Sequence, residues 1–360
     1  MVSRAAGGVA SLRAMVRVVD TQLLHKITGV DSINATGERF GIHGTDLGII
    51  WDAGPDADGA DRVFVMFGDT YGPDWGGRGA GPSKAQWRTN TLMSSTSRDL
   101  DAGLLLDSTL VRPSRPGGAT QVIRRNRLNV PTKPFPEHTL IPNSGITIDG
   151  VHYVHWMSIL IWLPGGRWRT FQSGIAVSTD DARSWSKPIT GRWPNLLGRN
   201  RFQIGAFTTD PTDPEWVYLF GTTNGRWGPA HLARTPRDQV AHVGSYRYFD
   251  GTDWVRRSGR AAPVLGGNVG ELSVAYHPGL GCWLAVHLDE AQAAILVRTA
   301  PTITGPWDDG VPLTTGAEHP GLYGGFLHPW ALDGDSIYWL MSQWDPYNVY
   351  LMRSRLTNAG

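Results

Sequence analysis

HGTDLGIIWD at residues 43–52 and RVFVMFGDT at residues 62–70, separated by the turn-rich AGPDADGAD, read as the two arms of one β-hairpin. The run VFVMF at 63–67 is continuously apolar, the pattern of a strand covered on both faces. NTLMSSTSRDLD at 90–101 follows as a third strand that ends in a polar turn. Such a unit cannot bury both of its own faces, so recurrence of the pattern decides the architecture.

The pattern recurs, loosely, four more times. A second unit runs through NSGITIDGVHYVHWMSI (143–159) and QSGIAVSTDDARSW (172–185), and a third through FQIGAFTTD (202–210), EWVYLFGTTNGR (215–226), AHLARTP (230–236) and SYRYFDGTDW (245–254). The fourth is GELSVAYHPGLGCWLAVHLD (270–289) with AILVRTAPTITGPW (294–307), and the fifth YGGFLHPWALDGDSIYWLMSQW (323–344) with VYLMRSRL (349–356). Asp149-Gly150, Asp250-Gly251 and Asp333-Gly334 lie between strand-like runs, where tight hairpins need positive φ. No helical period is sustained. The expectation is an all-β, five-bladed β-propeller occupying residues 26–356 as one domain.

The fifth unit shows only three strands. An N-terminal extension, residues 1–25, is expected to supply the missing one from RVVDTQLLHKITGV at 17–30 and so to close the ring. Residues 108–140, rich in Pro and Arg, read as an inter-blade insertion, flexible or draped over one face. Its Arg124, Arg125 and Arg127 are expected to form a solvated surface. STDDARSW (178–185) is similar to the Asp-box turn of sialidase propellers but lacks its usual Gly and occurs clearly once, so it marks a blade turn and not a sialidase.

Composition agrees with this architecture and removes several functions. The 360 residues carry 33 Lys+Arg against 32 Asp+Glu, a net charge of +1, with 18% charged residues, so no sign-biased overall field exists to attract nucleic acid or an anionic membrane. Hydrophobic content of 41%, with 16 Trp, suits a large core, and 45 Gly and 24 Pro spread along the chain suit many turns. Cys282, the one cysteine, has no intrachain disulfide partner. No apolar run is long enough for a signal-peptide core or a membrane span, so membrane insertion is not expected and localisation is left open. A phage-encoded enzyme, a trimmed chain or a non-standard export route would each fit.

Propeller geometry selects candidate site residues without any motif. Inner-strand starts and second-strand ends share one face, which gathers His43, Asp46, Asn143, Gln203, Glu271 and Tyr323 with Asp69, Asp289, Glu290 and Asp345. Carboxylates, amides and a phenol at a channel mouth suit a polyhydroxylated ligand. Asp46 and Asp69 are the sharpest pair, because their strands form one hairpin. If one is desolvated it can protonate a leaving oxygen while the other stays ionised. The plain alternative is two strand-end aspartates bonded to backbone. Glu271 enters an otherwise apolar strand, as a ligand contact, a third carboxylate or half of a salt bridge. Asn143, Gln203, Tyr323, His43, His328 and Trp330 are further substrate-binding candidates, and Trp75 and Trp87 fall beside the same loops. A core role is the ordinary alternative for each His, and packing between blades for most Trp. No His or acidic pair has metal-ligand spacing, so no metal and no cofactor are expected.

HGTDLGIIWD, MFGDTYG, RTNTLMSSTS, IPNSGITIDGVHYVHWMS, GIAVSTDDARSW, VGELSVAYHPGLGCWLA and YGGFLHPW together resemble a family of actinobacterial and phage proteins, over about residues 26–356. That family was long known only as a domain of unknown function and is associated with endo-acting D-arabinanases. The resemblance implies a glycoside hydrolase that cleaves α-linked D-arabinofuranosyl chains of mycobacterial arabinogalactan and lipoarabinomannan. It implies Asp46, in GTD, and Asp69, in FGDT, as the catalytic carboxylates, Glu271 as a further acid in the cleft, and inversion as the stereochemical course. The competing reading is a non-catalytic carbohydrate-binding propeller, such as a phage adsorption or tail module. A weaker third is a protein-binding scaffold, which leaves the convergent carboxylates unexplained.

Overall fold

Asp149 and Gly150 both take left-handed backbone angles (φ 50° and 78°), so strands Thr139–Ile148 and Val151–Leu163 fold back on each other through a two-residue turn. In the computed structural model, which describes residues 14–109, 118–126 and 137–359, hairpins of this kind build five antiparallel sheets arranged as a five-bladed β-propeller. The chain is all-β apart from the five-residue helix Thr36–Phe40 and a few single 3-10 turns among the described residues.

The inner strands are Gly44–Pro55, Thr139–Ile148, Ile204–Thr209, Leu272–His277 and Leu322–Leu327, which we number as blades 1 to 5. They touch one another in ring order, and the last meets the first. Each is followed outward by its hairpin partner, Asp61–Tyr71 in blade 1 and Cys282–Asp289 in blade 4, for example, and then by a third strand. Blade 5 takes its outermost strand from the N-terminal side. Val16–Lys26 pairs antiparallel with Asn348–Asn358, from Val16 opposite Asn358 to Lys26 opposite Tyr350, which covers the edge that the last hairpin would leave open.

Blades pack through apolar side chains that pass beneath small residues. A Cβ placed on Gly145 of blade 2 would stand 2.3 Å from the Trp51 ring of blade 1, so only glycine lets the indole through. Ser108–Thr109 is the outer strand of blade 1, and Thr139 and Leu140 begin the inner strand of blade 2, so the segment read as an insertion is shorter than 108–140. Its described part, residues 118–126, is tied to blade 1. Asn90 Nδ2 donates to the Ile123 carbonyl and Arg88 Nη1 to that of Ala119. STDDARSW is a blade turn closed on Asp180, which accepts from Ser178 and Ser184.

Candidate active site

An irregularity in the first hairpin brings Asp46 and Asp69 together. Thr45 pairs with Thr70 but Leu47 with Phe67, so Asp46 faces both Gly68 and Asp69 across a β-bulge. Leu47 and Gly48 follow with φ of 67° and 80°, a left-handed pair that a leucine adopts only under the constraint of its surroundings. Gly68 leaves the room that the Asp46 carboxylate occupies, because a Cβ there would lie 2.4 Å from Asp46 Oδ1. The expectation of one shared edge was legible in the hairpin; the bulge that aims the side chains was not.

The two carboxylates sit at the floor of a cleft of about 550 Å³, which Glu271, Tyr323, Tyr347, Arg226, Trp168, Trp162 and Trp344 help to line. Asp46 Oδ2 accepts a hydrogen bond from the Tyr323 hydroxyl at 3.0 Å, while its buried Oδ1 has no partner. Burial, reinforced by the neighbouring Asp69 carboxylate, pushes the Asp46 carboxyl up to about 8, against the opposing pull of the Tyr323 and Tyr347 hydroxyls. Asp69 is held differently. Thr139 Oγ1 at 2.7 Å and Trp87 Nε1 at 2.8 Å both donate to its Oδ1. Burial raises it to about 6, and those donors, with Arg125 nearby, restrain the rise. Burial therefore favours the protonated form of Asp46 more strongly than that of Asp69.

Glu271 lines the cleft but is already paired. Arg226 grips it through Nε and Nη2 at 2.8–3.1 Å, reaches Glu290 through Nη1 at 3.1 Å, and lies over the Tyr323 ring at 5.1 Å. The salt-bridge alternative for Glu271 is the one observed, within the cleft wall. Arg226 has no motif of its own and was missed; its place on the loop after the second strand of blade 3, facing Glu271, was the available signal. Tyr347 and Thr139 were missed as well.

Other candidates lie elsewhere. Asn143, at a bulge of its strand, turns its amide between blades to His155 Nδ1 at 3.0 Å. Gln203 is buried and bonded to Thr170, Ser173 and the Trp193 carbonyl, so its side chain is consumed by packing. Neither lines the cleft. His43 pairs its backbone with Tyr71 and stands beside Gly37, outside the cleft lining. His328 and Trp330 follow the far end of the blade 5 inner strand, roughly 15 Å from Tyr323 at about 3.3 Å per residue. They belong to the opposite mouth, where Trp330 Nε1 donates to Asp52 at 3.0 Å. Asp289 caps its own turn through Ala291 and Gln292, and Asp345 pairs with Arg78, whereas Glu290 does reach the cleft.

Arg125 also departs from expectation: it is half-buried, stacked 4.4 Å over the Trp87 ring, and not part of a solvated face. Arg124 is exposed, and Arg127 lies outside the described residues. Trp75 packs against Gly44 and donates to the Gly79 carbonyl at 2.8 Å. Among the described residues no group of three or more His, Cys, Asp or Glu is placed to hold a metal ion.

Comparison with known proteins then sets this site in a family. A profile described as "Domain of unknown function (DUF4185)" matches residues 31–353, and the chain belongs to that family. Two fungal proteins are similar along most of their length. Notoamide biosynthesis cluster protein J' of Aspergillus versicolor is 29% identical over 86% of this chain and 83% of its own. Protein J of Aspergillus sp. (strain MF297-2) is 29% identical over 86% and 82%. Among solved structures, a candidate hydrolase of Bacteroides ovatus superposes with a TM-score of 0.62 at 17% identity, covering 89% of this chain and 88% of that one. An exo-β-1,3-galactanase of Phanerochaete chrysosporium, solved with β-1,3-galactotriose, gives 0.51 at 10% identity, covering 86% and 64%. The propeller fold is thus shared with glycoside hydrolases that hold oligosaccharides.

Proposed function

We propose that this member of the DUF4185 family is a glycoside hydrolase that cleaves α-D-arabinofuranosyl linkages of mycobacterial cell-wall arabinan, within the chain, by a two-carboxylate mechanism. The observation that carries the reading is the pair Asp46 and Asp69, in one cleft, with environments that separate their protonation. Asp46, protonated near neutrality, would give its proton to the leaving glycosidic oxygen as the bond to the anomeric carbon breaks. Asp69, ionised, would draw a proton from a water attacking the opposite face of the sugar, leaving inverted configuration.

Other groups fit the same reading. Tyr323 would hold Asp46 through Oδ2, and the exposed Trp344 on the cleft wall offers an aromatic face for a sugar ring. Arg226 is committed to Glu271 and Glu290, so the cleft floor offers a neutral sugar hydrogen bonds and an anionic one no free guanidinium at that position. The arabinan assignment rests on the family resemblance of the GTD and FGDT motifs, and the carboxylate chemistry stands without it.

Product analysis tests the proposal. Incubation with mycobacterial arabinogalactan should release arabino-oligosaccharides of several lengths, with the anomer seen first by NMR being the inverted one. Retention would replace the water-activating role of Asp69 by a covalent one, and a purified protein that binds arabinan without cutting it would assign the chain to the non-catalytic carbohydrate-binding alternative.

A further inference from the structure

Seven of the fifteen large apolar side chains exposed among the described residues crowd onto one edge of the cleft face. They come from three segments. The long hairpin of blade 2 carries residues 160–163 (Leu-Ile-Trp-Leu), all exposed, on a tip that pairs only with itself: Ile161 opposite Arg169, Trp162 opposite Trp168, Leu163 opposite Arg167. The short outer strand Arg192–Pro194 stops at Gln172, so this tip stands free of the blade. Leu196 and Leu197 follow in the next loop, 72% and 83% exposed, and Trp227 lies on a third loop.

Specific bonds hold the three segments side by side. Asn195 donates to Thr170 and to Asn224, Asn224 donates to the Trp168 carbonyl, and Trp227 Nε1 reaches the Gly165 carbonyl. The exposed leucines are therefore presented on a braced platform. Charge here is mainly positive. Residues 159–172, 193–203 and 223–229 contain Arg167, Arg169, Arg199, Arg201 and Arg226 and no Asp or Glu, and the Glu290 carboxylate that lies against Gly166 of the tip is paired with Arg226. Arg226 is taken by Glu271 and Glu290, and Arg201 by the Ala261 carbonyl, whereas Arg167, Arg169 and Arg199 are exposed around the leucines. A net charge of +1 over the chain hides this local asymmetry.

We infer that this edge is a docking surface for an anionic lipid bilayer, so that residues 160–163, Leu196, Leu197 and Trp227 enter the interface and the three exposed arginines meet lipid headgroups. Five of the seven apolar groups are aliphatic. They neither stack on sugar rings nor bond hydroxyls, which argues against a purely glycan-binding role. A second copy is disfavoured, because a two-fold interface would set the arginines against themselves. Leu, Ile and Trp ringed by Arg on a protruding tip is the composition that partitions into the headgroup boundary. Since Trp162, Leu163 and Arg167 also line the cleft, docking would bring its mouth to glycans tethered at the membrane surface. The surface stands independently of the hydrolase reading.

Vesicle co-sedimentation of the full chain tests it. Binding is expected to vesicles of phosphatidylcholine and phosphatidylglycerol in equal parts, weakening with salt, and little to phosphatidylcholine alone. Leu196→Ser with Leu197→Ser, neither of them in the cleft lining, should weaken binding at least about tenfold. Arg169→Gln and Arg199→Gln should weaken it about fivefold each. Absence of vesicle binding by the parent chain, or unchanged binding by the double leucine variant, would overturn the inference. So would a concentration-dependent dimer that the double variant abolishes, which would identify the patch as a self-interface. A double variant that lost activity on soluble arabinan without lipid would identify it as part of the glycan site.

Discussion

The two mouths of the axial channel are built from the same strands, and they surround their acids in opposite ways. At one end of the blade 1 inner strand, Asp46 has an unpartnered Oδ1, a carboxylate neighbour in Asp69 and a tyrosine donor. At the other end, Asp52 is satisfied: Oδ1 accepts from the Gly54 amide at 2.8 Å and Oδ2 from Trp330, whose ring carries the Arg98 guanidinium at 3.6 Å. The cavity there, about 260 Å³, is lined mainly by apolar residues of all five inner strands. An acid in a propeller channel becomes a chemical group when its surroundings leave it incompletely paired beside a second acid. Where donors complete it, it is a fastener.

The sharpest way to break that contrast is to remove the acids. Asp46→Asn and Asp69→Asn should each lower kcat by at least about 10²-fold on arabinan while the chain stays folded. Asp52→Asn should leave kcat within about twofold. Full activity in either of the first two, measured as released reducing ends, would move the chemistry elsewhere.

Glycines distinguish the two mouths next. Gly68→Ala pushes a methyl into Asp46 Oδ1 and should cost about tenfold in kcat with a modest change in melting temperature. Gly145→Ala, beside Trp51 at the other mouth, meets a ring locked between blades and should instead cost about 1–3 kcal/mol of stability, read by denaturant unfolding.

The pH profile follows from the carboxyl environments. Activity should fall below about 6, where Asp69 takes up a proton, and above about 8, where Asp46 loses its own, by about tenfold per pH unit on each side. Tyr323→Phe removes a donor that favours ionised Asp46, so the upper limb should move to higher pH. A smaller effect is expected from Trp87→Phe. It takes one of two donors from Asp69 and should move the lower limb upward, with a few-fold loss of rate at pH 6, whereas Trp330→Phe at the other mouth should move neither limb.

Much of the architecture was legible because it is local. Alternating or continuous apolar runs bounded by Gly, Asp and Asn turns specify hairpins, and the five units at 43–101, 143–185, 202–254, 270–307 and 323–356 became the five sheets. Even the closing strand was visible, as an apolar stretch near the N-terminus matched to a unit lacking its edge. His328 and Trp330 stand at the end of YGGFLHPW, a motif that runs the length of the channel wall from Tyr323 at one face, so the substrate-binding candidates of that one motif are split between the two mouths.

What pairwise sequence patterns cannot carry is how side chains from different blades meet. The hairpin of residues 44–71 is encoded by its own residues, and with it the nearness of Asp46 and Asp69. Their protonation depends on Thr139 from blade 2, Tyr323 and Tyr347 from blade 5 and the desolvation that the closed ring imposes. Arg226 finds Glu271 across the seam between blades 3 and 4, and the apolar tip of blade 2 is exposed only because no later strand covers it. Strand period and turn chemistry act over a few residues and are written in the sequence. Burial and electrostatic coupling act through space, and the tertiary fold decides them.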